Sequence, residues 1–183
     1  MTALPRWPAE LPVLTDGEIV LRYANATDAD NIVAACVDRD VAHWTVVPQP
    51  YRLEHALGFI NEAQPSYHAQ SKIPYVIADA RTDQLIGSAG IHDIDLLAGS
   101  GEMGYWVAPA ARGRGVAARA VTLQLGAARL FGLHRFWLLI EPANLASIAV
   151  ARRAGFTFEG EVRATTIRDE PREHQVWVRS LRP

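Results

Sequence analysis

The segment Arg112-Gly-Arg-Gly-Val-Ala117 carries the strongest chemical signal in the chain. Two glycines one residue apart let the backbone turn tightly, so that successive N–H groups converge on one anion. An apolar pattern of helical spacing begins at Val116, and a helix start adds unsatisfied N–H groups and a positive dipole end. The side chains of Arg112 and Arg114 add permanent charge. Arg112, Gly113, Arg114, Gly115, Val116 and Ala117 together suit a phosphate or pyrophosphate; the plainer alternative is a glycine-rich turn with two solvated arginines. A Walker loop fails, because no glycine is followed by Lys and Ser or Thr at the required spacing. Gly113-Arg-Gly115-Val-Ala-Ala118 formally fits the dinucleotide fingerprint with a terminal alanine. That match is weak, since Pro109-Ala-Ala111 intervenes after the strand and Arg135 or Phe136 occupies the region of the ribose-binding acid. The pyrophosphate of coenzyme A is the third candidate.

These residues need elements to hold them. Gly101-Glu-Met-Gly-Tyr-Trp-Val107 reads as the strand that feeds the junction, and Pro109 ends it. A long helix follows to near Gly132, with Val116, Ala120, Leu123, Ala127 and Leu130 on its apolar face. Arg135 to Ile140 is an apolar strand stopped by Pro142; Asn144 is placed to cap a short helix and Gly155 to end it. Upstream, the pattern predicts a strand over 18–23, a helix over 29–40, a proline-punctuated loop over 43–51 and a helix from Arg52 or Leu53 to near Pro65. Strands over 75–79 and 85–92 flank a turn at 81–84, and two final strands over 156–167 and 173–181 surround Asp169-Glu-Pro-Arg172. Residues 1–16 read as a loosely structured lead-in, broken by Pro5, Pro8 and Pro12, and 17–183 as a single domain. Helices and strands are mixed, with several strands in succession mid-chain, which is an α/β or α+β layered domain.

Composition excludes several classes of function. The 183 residues are 49% hydrophobic and 21% charged, which fits one ordinary globular domain. Eighteen basic and twenty acidic residues leave a net charge of −2, so there is no broad positive field for nucleic acid or a membrane surface. No run approaches the roughly 20 apolar residues of a membrane span, and Met1 to Pro12 lacks a signal core. The single cysteine, Cys36, rules out an internal disulfide and a Cys-rich zinc site, suits a reducing cytoplasm, and reads as a small buried hydrophobe. Six histidines form no zinc-ligand array, so no metal is expected. Gly-x-Ser-x-Gly is absent, which removes the simplest hydrolase. Trp44, His43 and Tyr51 are candidates for a substrate mouth, although aromatic packing is the stronger reading.

Arg112-Gly113-Arg114-Gly115-Val116-Ala117, the strand Gly101–Val107 before it, and Asn144-x-x-Ser147 through Ala154-Gly-Phe156 after it stand in compatible order and spacing. Together they resemble the GNAT acyltransferases, especially the branch containing the RimJ and RimL ribosomal-protein N-terminal acetyltransferases. The resemblance covers roughly residues 17–181. It implies a mixed sheet splayed into a V, with the glycine motif holding the pyrophosphate of acetyl-CoA. It implies that the strand edge at Trp106 and Val107 binds the pantetheine arm through backbone groups, and that Asn144 contacts that arm. By the same resemblance Ser147 lies near the sulfur, and Glu102 near the acceptor amine. Each has a plain counterpart: a helix cap for Asn144, a first-turn hydroxyl for Ser147, a solvated strand residue for Glu102. Glu159 is a further acidic candidate, with a solvated strand position the stronger reading.

The expected function is therefore an acetyl-CoA-dependent N-acetyltransferase, with direct attack of a neutral primary amine on the thioester. A protein α-amine has a pKa of about 7.7–8.0 against about 10.4 for lysine, so at pH 7 about 10% of the former is neutral and less than about 0.1% of the latter. Small-molecule amines remain equally open as acceptors. The alternative is a non-catalytic acyl-CoA-binding regulatory module. The resemblance makes a homodimer a reasonable assembly.

Overall fold

A computed structural model describes residues 7–181. Residues 1–6 of the expected lead-in, Pro5 among them, and the last two residues of the expected domain lie outside the described residues. The strands are β1 (Leu14–Thr15), β2 (Ile19–Arg22), β3 (Ile73–Asp79), β4 (Leu85–Asp95), β5 (Ser100–Val107), β6 (Arg135–Ile140), β7 (Thr157–Ile167) and β8 (Glu170–Ser180). The helices are α1 (Ala29–Cys36), α2 (Arg39–Trp44), α3 (Leu53–His68), α4 (Val116–Ala127) and α5 (Leu145–Arg153). The strands make one sheet in the order β1-β2-β3-β4-β5-β6-β8-β7. Every neighbouring pair is antiparallel except β5 and β6, which run parallel through the crossover that contains α4.

Alternation along the strands assigns two faces to this sheet. Ile73, Tyr75 and Ile77 of β3, Met103 of β5, and Phe136 and Leu138 of β6 point into one core with Val116, Ala120 and Val121 of α4 and Ala151 of α5. Val76 of β3 points the other way, into a second core with Ile32 and Cys36 of α1, Val41 of α2, Tyr51, and Ala56 of α3. Cys36 is buried there, and burial pushes its thiol up to about 11. Trp106 packs against this second core. The sheet is thus sandwiched, with α4 and α5 on one side and α1, α2 and the first half of α3 on the other, while Tyr67 near the end of α3 reaches the first core. Among the described residues no helix is long and apolar enough to cross a membrane.

Several local expectations change; β8, for one, begins at Glu170, so Glu170, Pro171 and Arg172 lie in the strand and not in the turn. The helix read over 29–40 is two helices, because Asp38 turns extended and its carboxylate caps the backbone N–H groups of Asp40 and Val41 at 3.2 Å. The loop read over 43–51 accordingly begins only after Trp44. Helix α3 continues past Pro65 to His68. The long helix ends as α-helix at Ala127 and tightens into a 3₁₀ turn over Ala128–Phe131 before Gly132, which leaves Leu130 half-exposed rather than on the buried face. Residues 7–16 are anchored: the Tyr67 hydroxyl donates to the Pro8 and Glu10 carbonyls at 2.9 and 3.1 Å, and Tyr75 to Pro12 at 2.7 Å.

Candidate functional site

The parallel pairing of β5 and β6 is short. It runs through Ser100↔Arg135, Gly101↔Phe136 and Glu102↔Trp137 and then stops, although β5 continues to Val107 and β6 to Ile140. Beyond that point β5 stays with β4 and β6 with β8, so the two strands part and their facing edges open a wedge. Trp106 and Val107 lie on the β5 edge of this wedge; their side chains pack on opposite faces, leaving the backbone to line the opening.

At the open end of β5 the chain makes a 3₁₀ turn over Pro109–Ala111 and enters the glycine junction. Gly113 and Gly115 both hold positive φ, +74° and +76°, and a Cβ at either would meet no atom within 4 Å. Glycine is therefore used here for backbone conformation and not for close packing. Gly115 is the N-cap residue of α4, so the first N–H groups of that helix open onto the same surface. An open groove of about 550 Å³ lies against this end, lined by Gly113, Arg114, Gly115, Ala118, Arg119 and Arg153 among others. Arg114 stands 3.5 Å from Asp79, and Arg119 pairs with Asp16 at 2.8 Å. Arg112 faces another way: its Nε donates to the Val107 carbonyl at 3.2 Å, and its terminal nitrogens pair with Asp40 at 2.9 Å and with Asp38. The groove's cationic lining thus comes from Arg114, Arg119 and Arg153, two of which the glycine motif does not contain.

On the α5 side of the wedge, Asn144 caps its helix, its Oδ1 accepting from the Ser147 N–H at 3.0 Å. Helix α5 ends as the sequence suggested. Gly155 has φ +78°, with the Gly155 N–H on the Arg152 carbonyl and the Phe156 N–H on that of Ala151, a Schellman closure. The Ser147 hydroxyl meets the Tyr105 hydroxyl at 2.7 Å, joining α5 to β5 across the opening. Burial pushes the Tyr105 phenol up to about 12, with the Ser147 hydrogen bond acting against that rise. Tyr105 carries no local mark in the sequence, because its partner is 42 residues away. The one available signal was its alternation with Met103 towards the α4–α5 face.

Glu102 occupies the vertex, on the opposite face from Tyr105. Its carboxylate accepts from the Trp137 indole N–H at 2.8 Å, across the last rung of the parallel pairing. His92, directly opposite on β4, brings Nε2 to 3.8 Å from the other carboxylate oxygen, and its Nδ1 lies 3.6 Å from Asp93. The glutamate side chain is only 15% exposed, so it is partly desolvated. Glu102, His92 and Asp93 offer three donor atoms within 4.8 Å of one another, a grouping no sequence spacing announced. Glu159 is exposed on β7. Tyr51 is buried in the second core, while His43 and Trp44 stack edge-on at 4.3 Å at the end of α2.

A wedge between parallel strands, a left-handed glycine pair at a helix start, and polar side chains on both sides of the vertex form a known architecture. The chain is 26% identical over 154 residues to an uncharacterised N-acetyltransferase, YoaA, of Bacillus subtilis, covering 83% of this chain and 86% of that protein. It is 27% identical over 148 residues to the L-methionine sulfoximine/L-methionine sulfone acetyltransferase of Pseudomonas aeruginosa, covering 78% and 82%. Its fold superposes with a TM-score of 0.79 on RimJ of Mycobacterium smegmatis in complex with a CoA disulfide, at 20% identity over 95% of this chain and 88% of that one. Residues 18–157 match the family described as acetyltransferase (GNAT) domain, and the chain belongs to that family of N-acetyltransferases.

Proposed function

We propose that the protein transfers acetyl from acetyl-CoA to a primary amine in the cytoplasm, without a metal or a covalent enzyme intermediate. The observation that carries this reading is the wedge, which opens one residue beyond Glu102 and has the Gly113–Gly115 junction at its mouth. Converging N–H groups and the dipole of α4 suit the pyrophosphate, and Arg114, Arg119 and Arg153 suit the remaining negative charge. Arg112 contributes by its backbone and by fixing the loop. The edge at Trp106 and Val107, with Asn144 opposite, suits the pantetheine amides.

The chemistry then divides between the two sides of the vertex. A neutral amine attacks the thioester carbonyl; the C–N bond forms, and the C–S bond breaks with its electron pair on sulfur. Glu102 accepts the proton that the amine must lose, directly or through a water, and Trp137 keeps its carboxylate in place. The Tyr105–Ser147 pair offers a hydroxyl hydrogen bond to the departing thiolate, the raised pKa keeping the phenol a neutral donor; the thiolate takes its proton from solvent, to which Glu102 releases the one it accepted from the amine. Backbone N–H groups on the freed β5 edge are suited to the developing oxyanion.

Two acceptor classes fit: protein α-amines, by the fold shared with RimL, a ribosomal L7/L12 alpha-N-protein acetyltransferase, and small amino-acid amines, by the acceptor of the Pseudomonas relative. Free-thiol release should be measured across N-terminal peptides, polyamines, aminoglycosides and methionine sulfone. Amine-dependent thiol release supports the enzyme. Tight CoA binding with no thiol release on any amine would instead favour the regulatory module.

A further inference from the structure

Helix α2 is six residues long, too short to hold its shape unaided, and its two ends are tied to the two arms of the wedge. At its N-terminus, Asp38 and Asp40 take the guanidinium of Arg112, which follows β5. At its C-terminus, the carbonyls of Ala42, Thr45 and Val47 accept from Arg168 at 2.6, 3.0 and 3.1 Å. Arg168 sits at the tip of the β7–β8 hairpin, whose β8 strand carries the β6 arm. The tip itself is unusual. Arg168 and Asp169 hold φ of +50° and +64°, values that hairpin turns ordinarily give to glycine or asparagine. A disfavoured backbone thus aims a planar, permanently charged fork at the carbonyl-rich end of a helix, where positive charge is favourable.

We propose that Arg168 is a specificity-determining residue: by latching the hairpin tip to α2 it closes the acceptor side of the wedge into a ring that admits compact amines and excludes bulky ones. This rests on the acetyltransfer reading above. Glu102 faces the same side of the sheet as Trp106, which packs in one core with Val41 of α2, so α2 and its bridge to the hairpin stand on the side that Glu102 faces. With the latch made, the approach from that side is a closed portal; without it, the approach is an open trench between two arms. Arg168 is exposed, so water competes for its three bonds and the latch can open.

The test pairs two acceptors with the same reacting group and different bulk: a free amino acid, and a ten-residue peptide beginning with that residue. Unmodified enzyme should favour the amino acid in kcat/KM. Arg168→Ala should narrow that preference by at least about tenfold, chiefly by raising the peptide's value, with acetyl-CoA affinity unchanged. Arg168→Lys keeps the charge but cannot span three carbonyls, and should behave like the alanine variant. An unchanged ratio in folded protein overturns the size filter. Hydrogen exchange across residues 39–47, measured without any acceptor, should speed up at least about tenfold in Arg168→Ala, and unchanged exchange overturns the latch. If unmodified protein acetylates neither amine, the acetyltransfer reading and the filter both fall, while the exchange result still decides the latch.

Discussion

The two sides of the wedge are built by different means. The proposed cofactor side centres on one short stretch of chain, Arg112 to Ala117, whose chemistry lies in backbone conformation and a helix start, with Arg119 and Arg153 adding charge from α4 and α5. The proposed acceptor side is assembled from five separate elements: Glu102 on β5, His92 on β4, Trp137 on β6, α2, and the β7–β8 tip. A backbone site tolerates side-chain change but not a change of φ or charge at its glycines. A side-chain site depends on register, because a one-residue slip of β4 or β6 against β5 would turn His92 or Trp137 to the other face.

The contrast is sharpest at Glu102. Glu102→Gln keeps shape and the Trp137 contact but removes the base, so kcat/KM should fall about 10²-fold at neutral pH, with CoA affinity nearly unchanged. Raising the pH should recover part of the loss, since more amine then arrives neutral; steady-state rates across pH with a high-pKa amine are the check. Full activity of this variant at pH 7 would remove Glu102 from the mechanism.

On the cofactor side, Gly115→Asp puts negative charge where phosphates are expected. It should weaken CoA by at least about tenfold, roughly 1.4 kcal/mol. Asp tolerates a left-handed φ better than most residues, and the Cβ position is open, so the variant should fold. Gly115→Ala, measured beside it by calorimetric titration, separates strain from charge. Equal CoA affinity in the aspartate variant and the unmodified protein would break the pyrophosphate assignment.

The smallest effect belongs to the pair that bridges the sides. Tyr105→Phe or Ser147→Ala should lower kcat by about fivefold, roughly 1 kcal/mol, with less change in CoA affinity. The unmodified enzyme should show no loss of activity from tyrosine ionisation below pH 10. Because the folded phenol titrates near 12 rather than 10, its contribution to stability is complete below pH 10 and is lost as pH rises towards about 12. Alkaline unfolding of Tyr105→Phe should therefore be less steep across that window.

The same contrast explains what the sequence disclosed. The glycine junction, the strand before it, the Asn144 cap and the Gly155 stop are local patterns, and each stands where its neighbours in the chain require. Tyr105, Trp137, His92 and Arg168 carry no local mark, because strand pairing and a distant turn give them their partners. Asp38 lies inside an apolar spacing that reads as one helix over 29–40, and only its extended backbone makes it a cap. Arg112 shows the opposite hazard: its place in the motif suggested a phosphate ligand, while two distant aspartates hold its guanidinium.

The three rungs between β5 and β6 also bear on how the molecule comes apart. β3, β4 and β5 form successive hairpins, and β7 with β8 forms another that carries β6 along its free edge. Each block is zipped by antiparallel pairing, whereas the seam between them is parallel, short, and spans an intervening helix in the chain. Parallel pairing over a long connection closes late in folding and opens early in unfolding. A destabilised form of this enzyme would therefore part along the wedge where acetyl transfer is proposed, and become inactive while most of its secondary structure survives.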